Sequence, residues 1–289
     1  MKALQITEFG KAPVLTELPD PTPEPHQAVV DVVAAAINPL DLKIAAGTMR
    51  DFFPAPLPYV PGTDFSGRIA TPGPGWQIGD PVIGRLDPGT GGAFAEKVVI
   101  DAAQLTSAPS QIELKTAAGI PTAAATAWQA LVEVANVQPG QTVLIHAAAG
   151  GVGSFAVQIA RRLGARVIAT ASGSGVAIAE KLGADSVIDY RQTAFDSRLR
   201  GIDVVLDTVG GDVLTRSRAV LKPGGLLVTT PSPAEGAEFV FHTSDAARLA
   251  KVADLEVLVD RTLPLADGAQ AFAYLAEGHA RGKVLLSVA

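Results

Sequence analysis

One glycine-rich stretch, residues 146–164 (HAAAGGVGSFAVQIARRLG), restricts the possible folds of this chain more than any other. Its residues 147–153 include nothing larger than valine. An apolar strand pattern, TVLIHAA, leads into them, and apolar residues at three- and four-residue spacing follow, as in a helix packed against a sheet. The stretch therefore predicts a strand, a tight turn and a helix in direct succession.

Strands and helices continue to alternate after this stretch. We predict strands over residues 142–148, 166–171, 186–190, 203–209 and 226–230, and helices over residues 151–163, 176–182 and 212–221. Apolar strands that alternate with helices are typical of a parallel sheet covered on both faces. The fold class is therefore α/β, with a doubly wound parallel sheet.

The glycine-rich turn predicts an anion site. At a strand-to-helix turn the backbone N–H groups point outward and the helix dipole favours negative charge, which suits the diphosphate of a dinucleotide. The candidate contacts are the small residues of the turn: Ala149, Gly150, Gly151, Val152 and Gly153. Ala148 stands where the G-x-G-x-x-G pattern has its first glycine, so a plain tight turn without a ligand is the alternative.

The end of the second strand indicates which dinucleotide fits. Residues 171–174 (ASGS) contain no carboxylate to bind the ribose hydroxyls of NAD, so a ribose 2′-phosphate can be accommodated. Ser172, Ser174, Tyr190 and Arg191 are the candidate donors, which favours NADPH over NADH. The alternative is that these four are solvated turn residues.

Two further loops are candidates for cofactor contact, because ligands of open α/β sheets bind at the carboxyl ends of the strands. These loops follow the fourth and fifth predicted strands, and their candidate residues are Thr208, Val209, Gly210, Thr229 and Thr230.

The chain divides into segments with different patterns. Residues 1–116 have short apolar runs cut by turn residues, which predicts an irregular, mostly antiparallel β domain. Residues 117–258 carry the α/β pattern. Residues 259–289 end in the predicted strand GKVLLSVA, which has no place in the α/β series, so we expect them to return to the first domain.

Composition and charge narrow the partners. A net charge of −6 without a dense run of lysine and arginine favours small-molecule partners over nucleic acid or membrane. No segment approaches about 18 uninterrupted apolar residues and the amino terminus lacks a signal-peptide pattern, so we expect a cytoplasmic protein. The absence of cysteine excludes thiolate nucleophiles and cysteine-based zinc sites.

Motifs in family order span nearly the whole chain: INPLDLKIAAG, PGTDFSG, GDPVIG, GAFAEKVVI, GIPTAAATAWQAL, HAAAGGVG, LGADSVIDY, VVLDTVGG, LKPGGLLV and GKVLLSV. With them the sequence resembles the zinc-independent quinone oxidoreductase branch of the medium-chain dehydrogenase/reductase superfamily. The resemblance implies a GroES-like catalytic domain, made by the amino-terminal part and the carboxyl-terminal strand, and a Rossmann domain between them. It also implies an active site in the interdomain cleft and a homodimer.

The resemblance carries expectations about metal. Zinc-dependent members have a cysteine at the place of Asn38 and a His-Glu pair at the place of Thr63 and Asp64. Since neither thiolate nor imidazole is available at these places, we expect no catalytic zinc.

Three residues match family positions of stated role, and a fourth lies in the same turn as one of them. Asn38 matches an asparagine beside the nicotinamide, Thr126 a threonine under the cofactor, and Lys283 a basic position near the pyrophosphate, while Asp41 shares the NPLD turn of Asn38. Three of the four have an ordinary alternative: Asp41 caps a helix, the Thr126 hydroxyl bonds to its own helix, and Lys283 is solvated.

Two departures from the family limit these expectations. Gly175 stands where many relatives have the lysine that binds the 2′-phosphate, and no tyrosine proton donor precedes Tyr59.

We predict an oxidoreductase that transfers hydride from NADPH to a quinone or a conjugated enone without zinc. The alternatives are an enoyl-thioester reductase and a dinucleotide-binding protein of structural or regulatory function with little turnover.

Overall fold

The chain forms two units, one of which is interrupted in sequence by the other. The computed structural model describes residues 1–288. The first unit contains Met1–Thr122 and the described residues from Ser244 onward, and the second contains Ala123–Thr243. The sequence-based boundaries were expected after residues 116 and 258. In the structure the chain leaves the first unit later, after Thr122, and returns to it earlier, after Thr243.

The strands of residues 1–288, in chain order, are β1 (Lys2–Gln5), β2 (Val14–Glu17), β3 (Gln27–Ile37), β4 (Asp64–Thr71), β5 (Pro81–Arg85), β6 (Lys97–Asp101), β7 (Thr106–Ser107), β8 (Thr142–Ile145), β9 (Arg166–Ala171), β10 (Ser186–Asp189), β11 (Ile202–Asp207), β12 (Leu221–Thr229), β13 (Glu238–Phe239), β14 (Val259–Pro264) and β15 (Lys283–Ser287).

The α-helices of the same residues are α1 (Pro39–Ala45), α2 (Leu114–Ala117), α3 (Pro121–Trp128), α4 (Gly151–Arg162), α5 (Gly175–Leu182), α6 (Phe195–Arg198), α7 (Gly211–Ser217), α8 (Ala246–Ala250) and α9 (Gly268–Ala276). A π-helical turn, Gln129–Val134, continues α3. Among the helices of residues 1–288, none combines the length and the apolar character needed to cross a bilayer.

The first unit is built on a seven-stranded sheet in the order β14-β15-β3-β4-β5-β7, with β6 also paired to β3. All its pairs are antiparallel except β14 with β15. The last strand, β15, lies between β14 and β3, with Val284 opposite Ile37. The core beside this sheet includes Phe65, Phe94 and Phe272. The carboxyl-terminal strand is therefore an interior strand of the unit that the amino-terminal residues begin.

The second unit is a parallel sheet in the order β10-β9-β8-β11-β12-β13. This is the strand order of the Rossmann fold, in which the first strand lies beside the second and fourth. The predicted apolar stripe of α4 is buried through Phe155, Ala156, Ile159 and Ala160. The structure confirms the predicted α/β class and its doubly wound parallel sheet.

Candidate functional site

The predicted turn between β8 and α4 has little room for side chains. Ala147 adopts a left-handed conformation with φ of 48°, which is unusual for alanine, and Gly150 caps the helix in an extended conformation. A Cβ added to Gly153 would lie 2.2 Å from the carbonyl oxygen of Ala147, whereas one on Gly150 would lie 3.1 Å from the same atom. Gly153 thus allows α4 to begin directly against the turn.

This turn fits a diphosphate group. Gly151 and Val152 form the first turn of α4, a helix of 12 residues, and backbone N–H groups there lack carbonyl partners within the helix. Ala148 and Ala149 precede them as further small residues. The main chain is therefore open to an anion at the helix end where the dipole is positive.

His146, the residue that follows β8, is buried. Its Nδ1 lies 3.0 Å from Thr170 Oγ1 and its Nε2 lies 2.9 Å from Ser217 Oγ. Because the Ser217 hydroxyl donates to Val213 O at 2.7 Å, it accepts from Nε2–H, and Nδ1 accepts from Thr170. Burial lowers the pKa of His146 to about 4, so the ring is neutral at pH 7. It is a packed, hydrogen-bonded histidine rather than a solvated one.

Asp207, which the sequence analysis did not single out, organises the loops after β11 and β12. Its buried carboxylate accepts from Val209 N and Gly210 N at 3.0 Å, and from Thr229 Oγ1 at 3.4 Å. Its carbonyl accepts from Thr230 N at 3.0 Å. An aspartate that ends an apolar strand and precedes T-V-G-G is the sequence signal that could have identified it.

Thr208, the remaining candidate of these loops, donates from Oγ1 to His146 O at 3.0 Å. The loops after β8, β11 and β12 are thus connected at the carboxyl edge of the sheet.

The structure brings together two of the four candidate donors for a 2′-phosphate. Ser172 Oγ donates to the Tyr190 hydroxyl at 2.9 Å. Ser174 precedes α5, and Arg191 follows Tyr190 with an exposed side chain. Asp189 lies in register beside Ala171, and its carboxylate accepts from Arg191 N at 3.0 Å. The negative carboxylate of Asp189 near this edge of the sheet opposes the binding of a negatively charged 2′-phosphate.

Thr126 lies in the second unit, on α3, and is nearly buried. Its Oγ1 is 3.1 Å from His242 Nδ1, so the hydroxyl contacts a histidine ring. The sequence-based alternative, a bond from this hydroxyl to its own helix, is not the contact that the structure shows.

A buried polar cluster lies in the first unit, where β3, β4 and β15 end or begin. Asn38 Nδ2 donates to Asp64 Oδ2 at 3.0 Å, and Lys283 Nζ donates to Asn38 Oδ1 at 2.5 Å. Lys283 Nζ is 3.8 Å from Asp64 Oδ2. Thr122 donates to Asp64 from Oγ1 at 2.5 Å and from its backbone N at 3.2 Å. Asn38, Asp41 and Lys283 are thus gathered in one place, and Asp64 and Thr122 join them.

Arg85 completes this cluster from the end of β5. Its Nε donates to Thr122 Oγ1 at 3.0 Å, and its Nη1 donates to Ser244 Oγ at 2.7 Å. Thr122 and Ser244 are the residues at which the first unit is interrupted in sequence. The sequence analysis missed Arg85, because a single arginine at a strand end carries no pattern of its own.

Asp41 lies on α1 and is 1% exposed. Its Oδ2 accepts from Asn38 N at 2.7 Å, whereas its Oδ1 has no hydrogen-bond partner within residues 1–288. The pKa of Asp41 is raised to about 7, mainly by burial and also by the nearby Asp64 charge, against the lowering effect of the Asn38 N–H. The Asp41 carboxylate therefore accepts from the N-cap residue of α1, Asn38, and titrates near neutral pH.

Lys283 is 4% exposed, so it is not solvated. Burial lowers the pKa of its ammonium, while Asp64 and Asp41 raise it. Its predicted contact with a pyrophosphate stays a prediction.

Two family models match parts of the chain. The family model for the alcohol dehydrogenase GroES-like domain matches residues 24–110, and the model for zinc-binding dehydrogenase matches residues 182–286. A quinone oxidoreductase of Pongo abelii is 32% identical, over 80% of this chain and 73% of the relative. The chain belongs to the quinone oxidoreductase branch of the medium-chain dehydrogenase/reductase superfamily.

One further relative and one solved structure indicate the same family for this oxidoreductase. An NADPH-dependent alkenal/one oxidoreductase from the chloroplast of Arabidopsis thaliana is 30% identical, over 99% of this chain and 79% of the relative. The solved structure of the quinone oxidoreductase from Coxiella burnetii matches with a TM-score of 0.92 and 32% identity, over 100% of this chain and 99% of the other. The GroES-like and Rossmann architectures expected from the resemblance are confirmed.

A zinc ion, which the name of the zinc-binding dehydrogenase model suggests, does not fit the residues around Asn38. The carboxylate of Asp64 and the amide of Asn38 face a buried ammonium, which repels a second cation and occupies their oxygens. No group of three or more His, Cys, Asp or Glu side chains in residues 1–288 could hold a metal ion.

Proposed function

We propose that this oxidoreductase binds NADPH and reduces a quinone or a conjugated enone without zinc. The observation that carries the proposal is the β8–α4 turn, where Gly153 leaves no space for a Cβ and the main chain can receive a diphosphate. The names of the relatives, quinone oxidoreductase and NADPH-dependent alkenal/one oxidoreductase, support the same acceptors.

Contacts to the cofactor are proposed for residues at the carboxyl edge of the parallel sheet. They are Ala149, Gly150, Gly151, Val152 and Gly153 for the diphosphate; Ser172, Ser174, Tyr190 and Arg191 for the 2′-phosphate; and the loop residues Thr208, Val209, Gly210, Thr229 and Thr230. The Ser172–Tyr190 hydrogen bond supports the second group, because it brings two hydroxyl groups to one point. The neighbouring Asp189 limits the expected preference for NADPH over NADH.

Bound NADPH supplies the hydride, and the chain supplies alignment and a dry environment. We propose that the Asn38 amide contacts the acceptor oxygen or the nicotinamide, and that Thr126 contacts the cofactor. Reduced quinone oxygens take their protons from water, so a quinone requires no acidic side chain. Asp41, with its pKa near 7, is the titratable group of the cluster closest in sequence to Asn38.

The proposal is tested by stopped-flow measurement of NADPH oxidation after dialysis against a strong zinc chelator. The acceptors are 1,4-benzoquinone, 9,10-phenanthrenequinone and a simple enone, and NADH serves as the second donor. We expect turnover with at least one acceptor, a rate unchanged by added Zn²⁺, and a modest preference for NADPH.

Three results would contradict the proposal. Activity only on crotonyl thioesters would indicate the enoyl-thioester reductase. Quenching of NADPH fluorescence without turnover of any acceptor would indicate the binding protein. Activity that returns only with Zn²⁺ would refute zinc independence.

Two further proposals concern assembly and location. The homodimer is checked by light scattering on the purified chain, and a mass equal to one chain at micromolar concentration would exclude it. The cytoplasmic location is checked by fractionation of the source cells.

A further inference from the structure

The buried ammonium of Lys283 fixes the orientation of the Asn38 amide. The amide oxygen accepts from the ammonium and the amide nitrogen donates to the Asp64 carboxylate. Rotating the amide by half a turn would set its NH₂ against the ammonium and its oxygen against the carboxylate. Only one of the two orientations is therefore stable, and it is defined by a pair of opposite charges.

The same contacts polarise the amide. An amide whose oxygen accepts from a cation is a stronger donor through its nitrogen, since hydrogen bonds in a chain strengthen one another, most of all where water is excluded. Asp64 uses one of the two hydrogens on Asn38 Nδ2, which leaves the second as a donor. A donor aimed at developing negative charge accelerates the reaction that creates this charge.

We propose that Lys283, paired with Asp64, is a positioning residue that orients and polarises Asn38, so that the second amide N–H stabilises the negative charge on the acceptor oxygen. The inference rests on the proposed reduction of a quinone or enone. It differs from the sequence-based expectation for Lys283, which assigned its charge to the pyrophosphate of the cofactor.

The backbone positions of Lys283 and Asp64 are fixed by two strands of the sheet. Lys283 begins β15 and Asp64 begins β4, strands that flank β3 on either side, and Asn38 follows β3. The cluster is held further by Thr122, which donates to Asp64, and by Arg85, which in turn donates to Thr122. Nearby Asp64 and Asp41 charges favour the protonated form of Lys283 against the effect of burial on its pKa.

The first test separates acceptor reduction from cofactor binding. We compare wild type with Lys283→Met, which keeps the length of the side chain without its charge, and with Lys11→Met on an exposed lysine. We expect Lys283→Met to lower kcat with the quinone by about 10-fold or more, as for the loss of a charge-stabilising contact. The Kd for NADPH, measured by fluorescence without acceptor, should change less than about threefold.

The second test restores the charge chemically. Because the chain has no cysteine, Lys283→Cys introduces its single thiol, which bromoethylamine converts under denaturing conditions into a lysine analogue. After refolding, we expect aminoethylation to recover most of the lost kcat and carbamidomethylation, which adds a neutral group, to recover none. Wild type taken through the same unfolding and refolding is the control.

A third variant controls for stability. Lys283→Met leaves Asp64 buried without its ammonium, which is costly, whereas removing both charges of a buried pair is often close to neutral. The double variant Asp64→Asn/Lys283→Met is therefore expected to fold, and to share the low kcat. The side-chain amide signals of Asn38 in ¹⁵N NMR spectra of the apoprotein should shift in both variants and not in Lys11→Met.

The outcomes are distinguishable. A kcat within about twofold of wild type in the folded double variant, or equal recovery with both alkylating reagents, would overturn the inference. A raised Kd for NADPH with unchanged kcat in the Lys283 variants would also overturn the inference, because it would indicate that Lys283 contacts the cofactor. Failure of wild type to reduce any quinone or enone would instead refute the proposed function.

Discussion

The neutral, buried His146 should make the stability of the second unit depend on pH in a defined range. Its pKa is 6.5 in an unfolded chain and about 4 in the structure. The difference of about 2.5 pH units, at about 1.4 kcal/mol for each unit, is about 3–4 kcal/mol. Because the folded pKa is the lower one, this contribution is complete above pH 6.5 and is lost as the pH falls to about 4.

The perturbation is His146→Gln, whose amide can donate to Ser217 and accept from Thr170 but does not titrate. We expect the variant to be less stable at pH 7.5, by about 1–3 kcal/mol for imperfect hydrogen bonds and packing. Between pH 7 and pH 4 its disadvantage relative to wild type should shrink by about 3 kcal/mol. His279→Gln, on an exposed histidine, should follow wild type throughout.

The assay is urea denaturation at pH 7.5, 6.5, 5.5 and 4.5 in a Trp76→Phe background. Trp128, the other tryptophan, then reports on the second unit. Unfolding free energies of wild type and His146→Gln that stay parallel over this range would refute the assignment of a neutral histidine bonded to Thr170 and Ser217.

Three further predictions follow from the site. Gly153→Ala, whose Cβ would meet the carbonyl of Ala147 at 2.2 Å, should destabilise the protein by about 1–3 kcal/mol and weaken NADPH binding at least about 10-fold. Gly150→Ala, with 3.1 Å to the same oxygen, should be milder in denaturation and fluorescence titration, and equal effects would contradict the packing argument. For Asp41 the folded pKa is the higher one, so its contribution to stability is lost as the pH rises from 3.8 through about 7. Asp41→Asn should therefore gain on wild type by about 4 kcal/mol between pH 4 and pH 9, and urea melts in which the gap stays constant would exclude a raised pKa. Ser172→Ala should reduce the ratio of kcat/KM for NADPH to that for NADH about threefold or more, and an unchanged ratio would remove Ser172 from the 2′-phosphate site.

The regular second unit was predictable because its strands are apolar and its turns are marked by glycine. The strand over residues 166–171 coincides with β9, and the helix over 151–163 ends one residue beyond α4. The helix expected over 212–221 is instead α7, which ends at Ser217, followed by a 3₁₀ turn.

The chemistry of the site was less accessible to sequence reasoning. Backbone contacts of the β8–α4 turn depend on local residue size, so the sequence indicates them. The cluster around Asn38 combines residues 38, 64, 85, 122 and 283, whose meeting depends on strand order across the whole first unit. No local pattern encodes such a meeting, so the sequence predicted a pyrophosphate contact for Lys283, or a solvated side chain, and not its contact with Asn38.

The two hydrogen bonds of Arg85 have a consequence for engineering. They hold Thr122 and Ser244, the cut points of the first unit, to two nitrogens of one guanidinium group. A few glycine and serine residues can therefore bridge these two positions, because the gap to be closed is short. We expect residues 1–122, linked in this way to the residues from Ser244 onward, to form one β-rich module, in which the cluster around Asn38 can be studied without the second unit.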